Sequence, residues 1–290
     1  MRRYEELRKG EGGAWLSIGT YLFLASLKLI IGYLFLSQAL VADGYNNAAD
    51  IIVSVAVLVG LRISQKPPDH DHPYGHFRAE HIAALLASFI MAVIGLQVIL
   101  NAGTTLLANE PVEAPRFITA WVAGFSAIIM LFVYRFNRKL AEKINSQALK
   151  AASQDNKNDA LVSIGVVIGI IGSHLHLSWI DPLMAFLIGL IICYTAWSIF
   201  KEASHSLTDG FSEEALQPFK STVLAIDGVQ NLLGIKARQV GSTIYADVTI
   251  TVIPSMSVRT SHEIADLIEQ TLRDQHDVTE TTVHVEPDTT

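Results

Sequence analysis

Long apolar stretches separated by short polar connectors run through the first two-thirds of the chain and stop near residue 200. Six of them, at 15–36, 39–63, 81–103, 117–136, 155–173 and 179–200, approach a common length. A helix needs about 20 such residues to cross the hydrocarbon core of a bilayer, so six membrane spans are expected. Beyond residue 200 the pattern shortens. KEASHSLTDG reads as a polar linker broken at Gly210, and Ser212 as the N-cap of a helix through EEALQPFKSTVLA. Alternation from Tyr245 to Ile250 predicts a half-buried strand. Ile264, Leu267, Ile268 and Leu272 share one helical face, and TTVHVEP closes the chain as a strand. The expected architecture is an α-helical membrane bundle of six transmembrane helices (1–208) followed by a small αββαβ domain (209–290). Such an α+β domain would be ferredoxin-like or metallochaperone-like.

The polar residues inside the apolar stretches carry the chemistry. Asn46 and Asp50 lie in the second stretch, Asp155 and Asp159 at the start of the fifth, each pair four apart. That spacing puts both members on one helix face. An intramembrane carboxylate costs roughly 2.5–3.5 kcal/mol on insertion scales and commonly marks an ion pathway. Two such faces meeting would offer a carboxamide oxygen and three carboxylates, an all-oxygen set suited to magnesium, calcium or manganese. Asp43, two turns before Asp50, reads as a vestibule acid or a helix-start residue. Lys28 in the first stretch either snorkels or faces the bundle. Asp181, before Pro182, reads as the cap of the sixth helix.

Charge placement orients the chain. Arg2, Arg3, Arg8 and Lys9 precede the first stretch; Arg62, Lys66 and Arg78 follow the second; Arg135, Arg138, Lys139, Lys143 and Lys150 follow the fourth. Of the opposite connectors, one offers only Arg116 and the other, SHLHLS, has no Lys or Arg, so both termini are expected in the cytoplasm; the expected location is a bacterial inner membrane. MRRYEELRKGEGG has no apolar core before a cleavage site, so no removable signal peptide is expected. The net charge of −7 argues against a nucleic-acid partner and fits handling of cations. The single Cys193 excludes an internal disulfide and reads as packing.

The second-to-third connector, DHDHPYGHFRAEH, is rich in metal ligands, and Asp69, His72 and His76 form a D-x2-H-x3-H set compatible with one metal. Pro67, Pro68, Pro73 and Gly75 make it a turn-forming loop in any case.

Three stretches, ADGYNNAADIIVS, HPYGHFRAE and ALKAASQDNKNDALVS, resemble signatures of the cation diffusion facilitator family. The resemblance extends over nearly the whole chain. It implies a proton-coupled exporter of divalent cations, a homodimer that works by alternating access and is not an enzyme. Asn46, Asp50, Asp155 and Asp159 fall at the family's transport site. Zinc-selective members typically carry His where Asp155 stands, and Asp or His where Asn46 stands, so this set is similar to the manganese branch. Asp69, His72 and His76 fall at the family's second site. His262, His284 and Glu286 fall at its cytoplasmic cluster, although Leu233 and Thr249 occupy two further positions where His is usual. Arg78 matches a basic residue that pairs with an acid after the sixth span, here Asp209. The metal is expected as cargo, with no cofactor. Two alternatives remain open: an exporter of zinc, iron or cobalt, and, more remotely, a membrane metallohydrolase built on the His-rich connector.

Overall fold

The computed structural model describes residues 2–64, 66–67, 69–108, 114–144, 147–175, 177–240 and 243–288, with side chains placed except at 2–15, 57, 58, 61, 144 and 147–151. Pro68 of the connector thus lies outside the described residues. The chain forms two compact units. One comprises Met1–Ala56 and Leu86–Ser198, the other Val57–Leu85 and Ile199–Thr290.

Six long helices occupy the apolar part: α1 (Arg2–Leu34), α2 (Gln38–Ser64), α3 (Ala79–Leu107), α4 (Ile118–Ile144), α5 (Gln147–His174) and α6 (Ile180–Leu207). Among the described residues, four of these helices contain segments long and apolar enough to cross a membrane: Leu16–Leu34, Ala79–Leu107, Ile118–Lys143 and Ile180–Leu207. The bundle is inside-out in the way a lipid solvent demands. Phe89, Val93, Leu96 and Leu100 on α3, and Trp121, Ile128 and Phe132 on α4, are exposed. Small residues and a few branched ones fill the interior, with Ala39, Leu40, Ala123, Val166, Ile170, Ile188 and Ile192 in one buried cluster. Helices approach closely where a Cβ is missing: a side chain at Gly95 would meet the Cys193 sulfur at 2.7 Å. Cys193 is therefore a packing residue against α3, the small-residue contact by which membrane helices associate.

The turn from α1 to α2 is closed by an unusual cap. Leu36 sits in the left-handed region at φ 58°, a conformation that costs a non-glycine residue roughly 1–2 kcal/mol. Ser37 N–H returns to Gly32 O at 3.0 Å. Asp181 accepts from Ser37 Oγ (2.8 Å) and from the N–H groups of Gln38 (2.7 Å) and Ala39 (3.3 Å). The expectation that Asp181 caps its own helix is thus corrected. It lies inside the first turn of α6 and satisfies orphan donors at the start of α2, which no sequence-local rule could reveal.

The C-terminal domain holds α7 (Glu213–Leu224), β1 (Asn231–Val240), β2 (Thr243–Val252), α8 (Val258–His276) and β3 (Val278–Pro287). Ser212 caps α7, its Oγ accepting from Ala215 N–H at 3.2 Å. Strands β1 and β2 form an antiparallel hairpin with a bulge between Leu232 and Gly234. β3 returns parallel to β2, giving the order β1-β2-β3; a parallel return needs a crossover, and α8 supplies it. Leu216, Phe219 and Val223 of α7 and Ile264, Ile268 and Leu272 of α8 cover Val248 and Ile250 of the sheet. Leu267, expected on the same apolar face, is 48% exposed; Ala265 is buried there instead, beside Ile264, Ile268 and Leu272.

Candidate functional site

The bundle gathers polar side chains from α1, α2 and α5 at one level. Asn46 Nδ2 donates to Asp159 Oδ1 across the α2–α5 contact at 2.9 Å. Tyr21 of α1 donates its hydroxyl to Asp159 Oδ2 at 2.8 Å, and both residues are buried. The Tyr21 oxygen accepts from Asn156 Nδ2 (2.8 Å), and Asn156 Oδ1 accepts from Asn137 Nδ2 of α4 (2.9 Å). Asn137 also reaches Ser17 Oγ at 2.8 Å. Four helices are therefore joined to a single carboxylate by side-chain hydrogen bonds.

Asp50, one turn along α2 from Asn46, is half-buried with Oδ2 enclosed and unpartnered. A buried carboxylate oxygen without a donor is costly and points to a missing positive or hydrogen-bonding partner. Asp155 lies one turn before Asp159 on α5 and is exposed. The structure thus brings Asn46 and Asp159 into contact, with Asp50 adjacent, and leaves Asp155 exposed at the end of the group nearer the start of α5. Tyr21, Asn137 and Asn156 were not singled out from the sequence. Asn137 sits in YRFNRKL and Asn156 in QDNKND, where each looks like one more polar residue of a connector.

Lys28 and Asp43 make a second layer. Both are 0% exposed, with Lys28 Nζ 2.9 Å from Asp43 Oδ2. The ammonium also donates to Asn47 Oδ1 (2.7 Å) and Ser163 Oγ (3.1 Å). Lys28 therefore faces the bundle and does not snorkel.

In the connector, Asp69, His72 and His76 present ligand atoms that all lie within 4.8 Å of one another, the one such triple of His, Cys, Asp and Glu among the described residues. His72 Nδ1 is 3.0 Å and His76 Nε2 3.4 Å from the Asp69 carboxylate, with the two rings 4.2 Å apart. Asp69 also accepts from the N–H groups of His72 (2.7 Å) and Asp71 (3.1 Å). The His72 N–H, then its ring, hold the carboxyl below the usual carboxylate range. Gly75 turns the chain at φ 80°.

Arg78 Nη2 lies 2.5 Å from Asp209 Oδ1, and Arg78 Nη1 donates to Leu207 O at 3.3 Å. Asp209 itself adopts φ 59°, just past the end of α6. In the C-terminal domain His284 and Glu286 neighbour each other along β3, 3.4 Å apart, and both are exposed. Exposed His262, on α8, pairs instead with Asp266 at 3.7 Å, and the three form no close cluster within this chain. Thr249 is the β2 neighbour of His284.

Residues 14–208 match the cation efflux transmembrane domain, and residues 211–288 match the cytoplasmic domain of cation efflux proteins. The chain belongs to the cation diffusion facilitator family. It is 56% identical to the manganese efflux system protein MneS of Bacillus subtilis (strain 168), over 99% of each chain. From the same organism, the uncharacterized transporter YdbO is 52% identical over 99% of each chain, and the manganese efflux system protein MneP 31% identical over 92% of each. As a member of this family the chain is an integral membrane exporter of divalent metal cations, with a cytoplasmic C-terminal domain. It is a transporter and not an enzyme, and the metal is its cargo.

Proposed function

We propose that this facilitator exports Mn2+ in exchange for protons, by alternating access in a homodimer of six-span subunits. In this reading α2 and α5 are the two remaining spans, residues 1–208 form the membrane domain and 209–290 the cytoplasmic one. Asn46, Asp50, Asp155 and Asp159 hold the cation. The observation that carries the assignment is the Asn46–Asp159 contact at 2.9 Å across two membrane-region helices, beside the unpartnered Asp50 oxygen. An oxygen-only set favours a hard or borderline ion that tolerates high coordination. The names of MneS and MneP support manganese. Protons and metal compete for the same carboxylate oxygens, so outward opening exchanges one for the other. The Asp69–His72–His76 group is a candidate second metal site in the connector. His262, His284 and Glu286 are candidate regulatory ligands, shared between the subunits of the dimer.

Purified protein in vesicles tests the reading. Asp50→Ala and Asp159→Ala should abolish Mn2+ flux driven by a pH gradient while leaving the protein folded and dimeric. Native-like flux in either folded variant overturns the site. Zinc moved well with manganese not moved at all would favour the zinc, iron or cobalt alternative.

A further inference from the structure

The Lys28–Asp43 layer lies outward of the cation site. Because α6 leads into the cytoplasmic domain, the short connector from α5 to α6 is on the far side of the membrane. Ser163 follows Asp159 by one turn toward that side on α5, and Asp43 and Asn47 precede Asp50 toward it on α2. Lys28 bridges the two ligand-bearing helices there through Asp43, Asn47 and Ser163. Ser163 Oγ in turn donates to Asp43 Oδ2 at 2.8 Å.

One carboxylate oxygen, Asp43 Oδ2, takes both the ammonium and the serine hydroxyl. The other, Oδ1, is buried without a hydrogen-bond partner, and so is Asp50 Oδ2 at the cation site. Asp43, Asn47 and Asp50, at i, i+4 and i+7, share one face of α2. Unsatisfied polar atoms are therefore strung along that face from the cation site outward, with Asp43 and Asn47 themselves fully buried. A row of enclosed polar atoms left unpaired is expensive unless something passes along it. A cation leaving outward from Asp50 meets Asp43 next, and there it meets Lys28.

Resting on the cation site proposed above, we infer that Asp43 is an outer ligand for the departing divalent cation, with the Lys28 ammonium as its resident counter-ion. While the cation sits at Asp50 and Asp159, Lys28 occupies Asp43 and ties α1, α2 and α5 together, closing the outward side. When the cation moves outward, it displaces the ammonium from Asp43. The returning ammonium then prevents the cation from lingering, because an unopposed buried carboxylate would hold it tightly. Lys28 is in this scheme a positioning residue that sets the rate of release.

The decisive variant removes both charges at once. Lys28→Met with Asp43→Asn is neutral, and replacing a buried ion pair by groups of similar volume is often harmless to folding. In vesicles this double variant should lose Mn2+ flux by about tenfold or more, through kcat rather than KM. Mn2+ binding to the solubilised protein should stay within about threefold of native. Native-like flux would show that the pair is only structural and would overturn the proposal. The single change Lys28→Gln, which leaves Asp43 uncompensated, should bind an additional Mn2+ per subunit and release it slowly. A folded Lys28→Gln protein with native stoichiometry would equally overturn it. Asp159→Ala run in parallel separates the two readings: if it abolishes flux while the double variant transports normally, only the outer-ligand proposal fails.

Discussion

Asn46 meets Asp159 through its nitrogen, not its oxygen: Nδ2 donates to Oδ1 at 2.9 Å. A carboxamide so turned neutralises nothing, but it holds the carboxylate in place without a cation. To ligate a metal the side chain must present its oxygen, so in the proposed site cation entry would exchange this hydrogen bond for a metal–oxygen contact. Under that proposal Asn46 would serve two states of the site, and a residue with a single chemical character at that position would favour one of them.

The hydroxyl of Tyr21 is the other fixed donor to Asp159, and it relays to Asn156. Tyr21→Phe leaves Asp159 Oδ2 with one donor fewer and strands the Asn156 carboxamide. Side-chain hydrogen bonds within membrane bundles are worth roughly 1 kcal/mol, so thermal stability should fall only modestly. Cation affinity should change more, because the freed oxygen becomes available to the metal. Mn2+ binding to solubilised Tyr21→Phe at a range of pH values checks this. Unchanged affinity and unchanged pH dependence would mean the tyrosine is packing alone.

The pairs Asn46/Asp50 and Asp155/Asp159 were legible in the sequence because i, i+4 spacing is a property of one helix. Which helices meet is not. The Asn46–Asp159 contact depends on α2 lying against α5, and the Asp181 cap on α6 lying against the α1–α2 turn. Lys28 stood out as a charge in an apolar run, yet its partner on α2 could not be read from α1. The Arg78–Asp209 pair was expected from family resemblance alone, and the two residues are in contact. In the C-terminal domain, alternation from Tyr245 to Ile250 falls in β2, Ser212 caps α7, and the amphipathic spacing falls in α8. Leu267 was misplaced because the buried stripe of α8 runs through Ala265, Ile268 and Leu272 to one side of Ile264, and the helical turn puts Leu267 on the other side.

Asp181 offers a stability test. Its carboxylate takes two backbone N–H groups and the Ser37 hydroxyl at the start of α2. Asp181→Ala removes all three contacts from a buried site. Loss of an N-cap costs about 0.5–2 kcal/mol, and stranded buried donors add to that. Melting of the purified protein in detergent should show a clear drop, with α2 loosening first in hydrogen exchange. Unaltered melting would mean that water replaces the carboxylate.

The connector responds to pH with a definite sign. The N–H of His72 is the main reason Asp69 titrates below its ordinary range. A carboxylate lowered in the folded loop stabilises it above the unfolded value of about 3.9 and loses that contribution as pH falls through the folded value. Asp69 therefore stays ionised through mild acid, so its protonation would not be what releases a metal from the proposed connector site there. Asp69→Asn should weaken Zn2+ or Mn2+ binding to the connector at neutral pH without moving the pH at which the remaining binding disappears. A shift in that pH would assign the transition to Asp69 itself.

Selectivity gives the sharpest test. Asp155 is exposed, and in the proposed site it keeps the cation set all-oxygen. Asp155→His supplies a nitrogen ligand of the kind zinc favours in four-coordinate sites. Asn46→Asp restores the charge lost at position 155, but replaces the donor that faces Asp159 with a second carboxylate. The double variant should therefore bind divalent cations more tightly and shift transport from manganese toward zinc. Binding alone is a poor measure, since zinc outranks manganese at most nitrogen and oxygen sites. Flux of the two ions under matched gradients is the quantity to compare, because an ion held too tightly binds but does not leave. If the double variant keeps the native ratio of manganese to zinc flux, positions 46 and 155 do not set the preference.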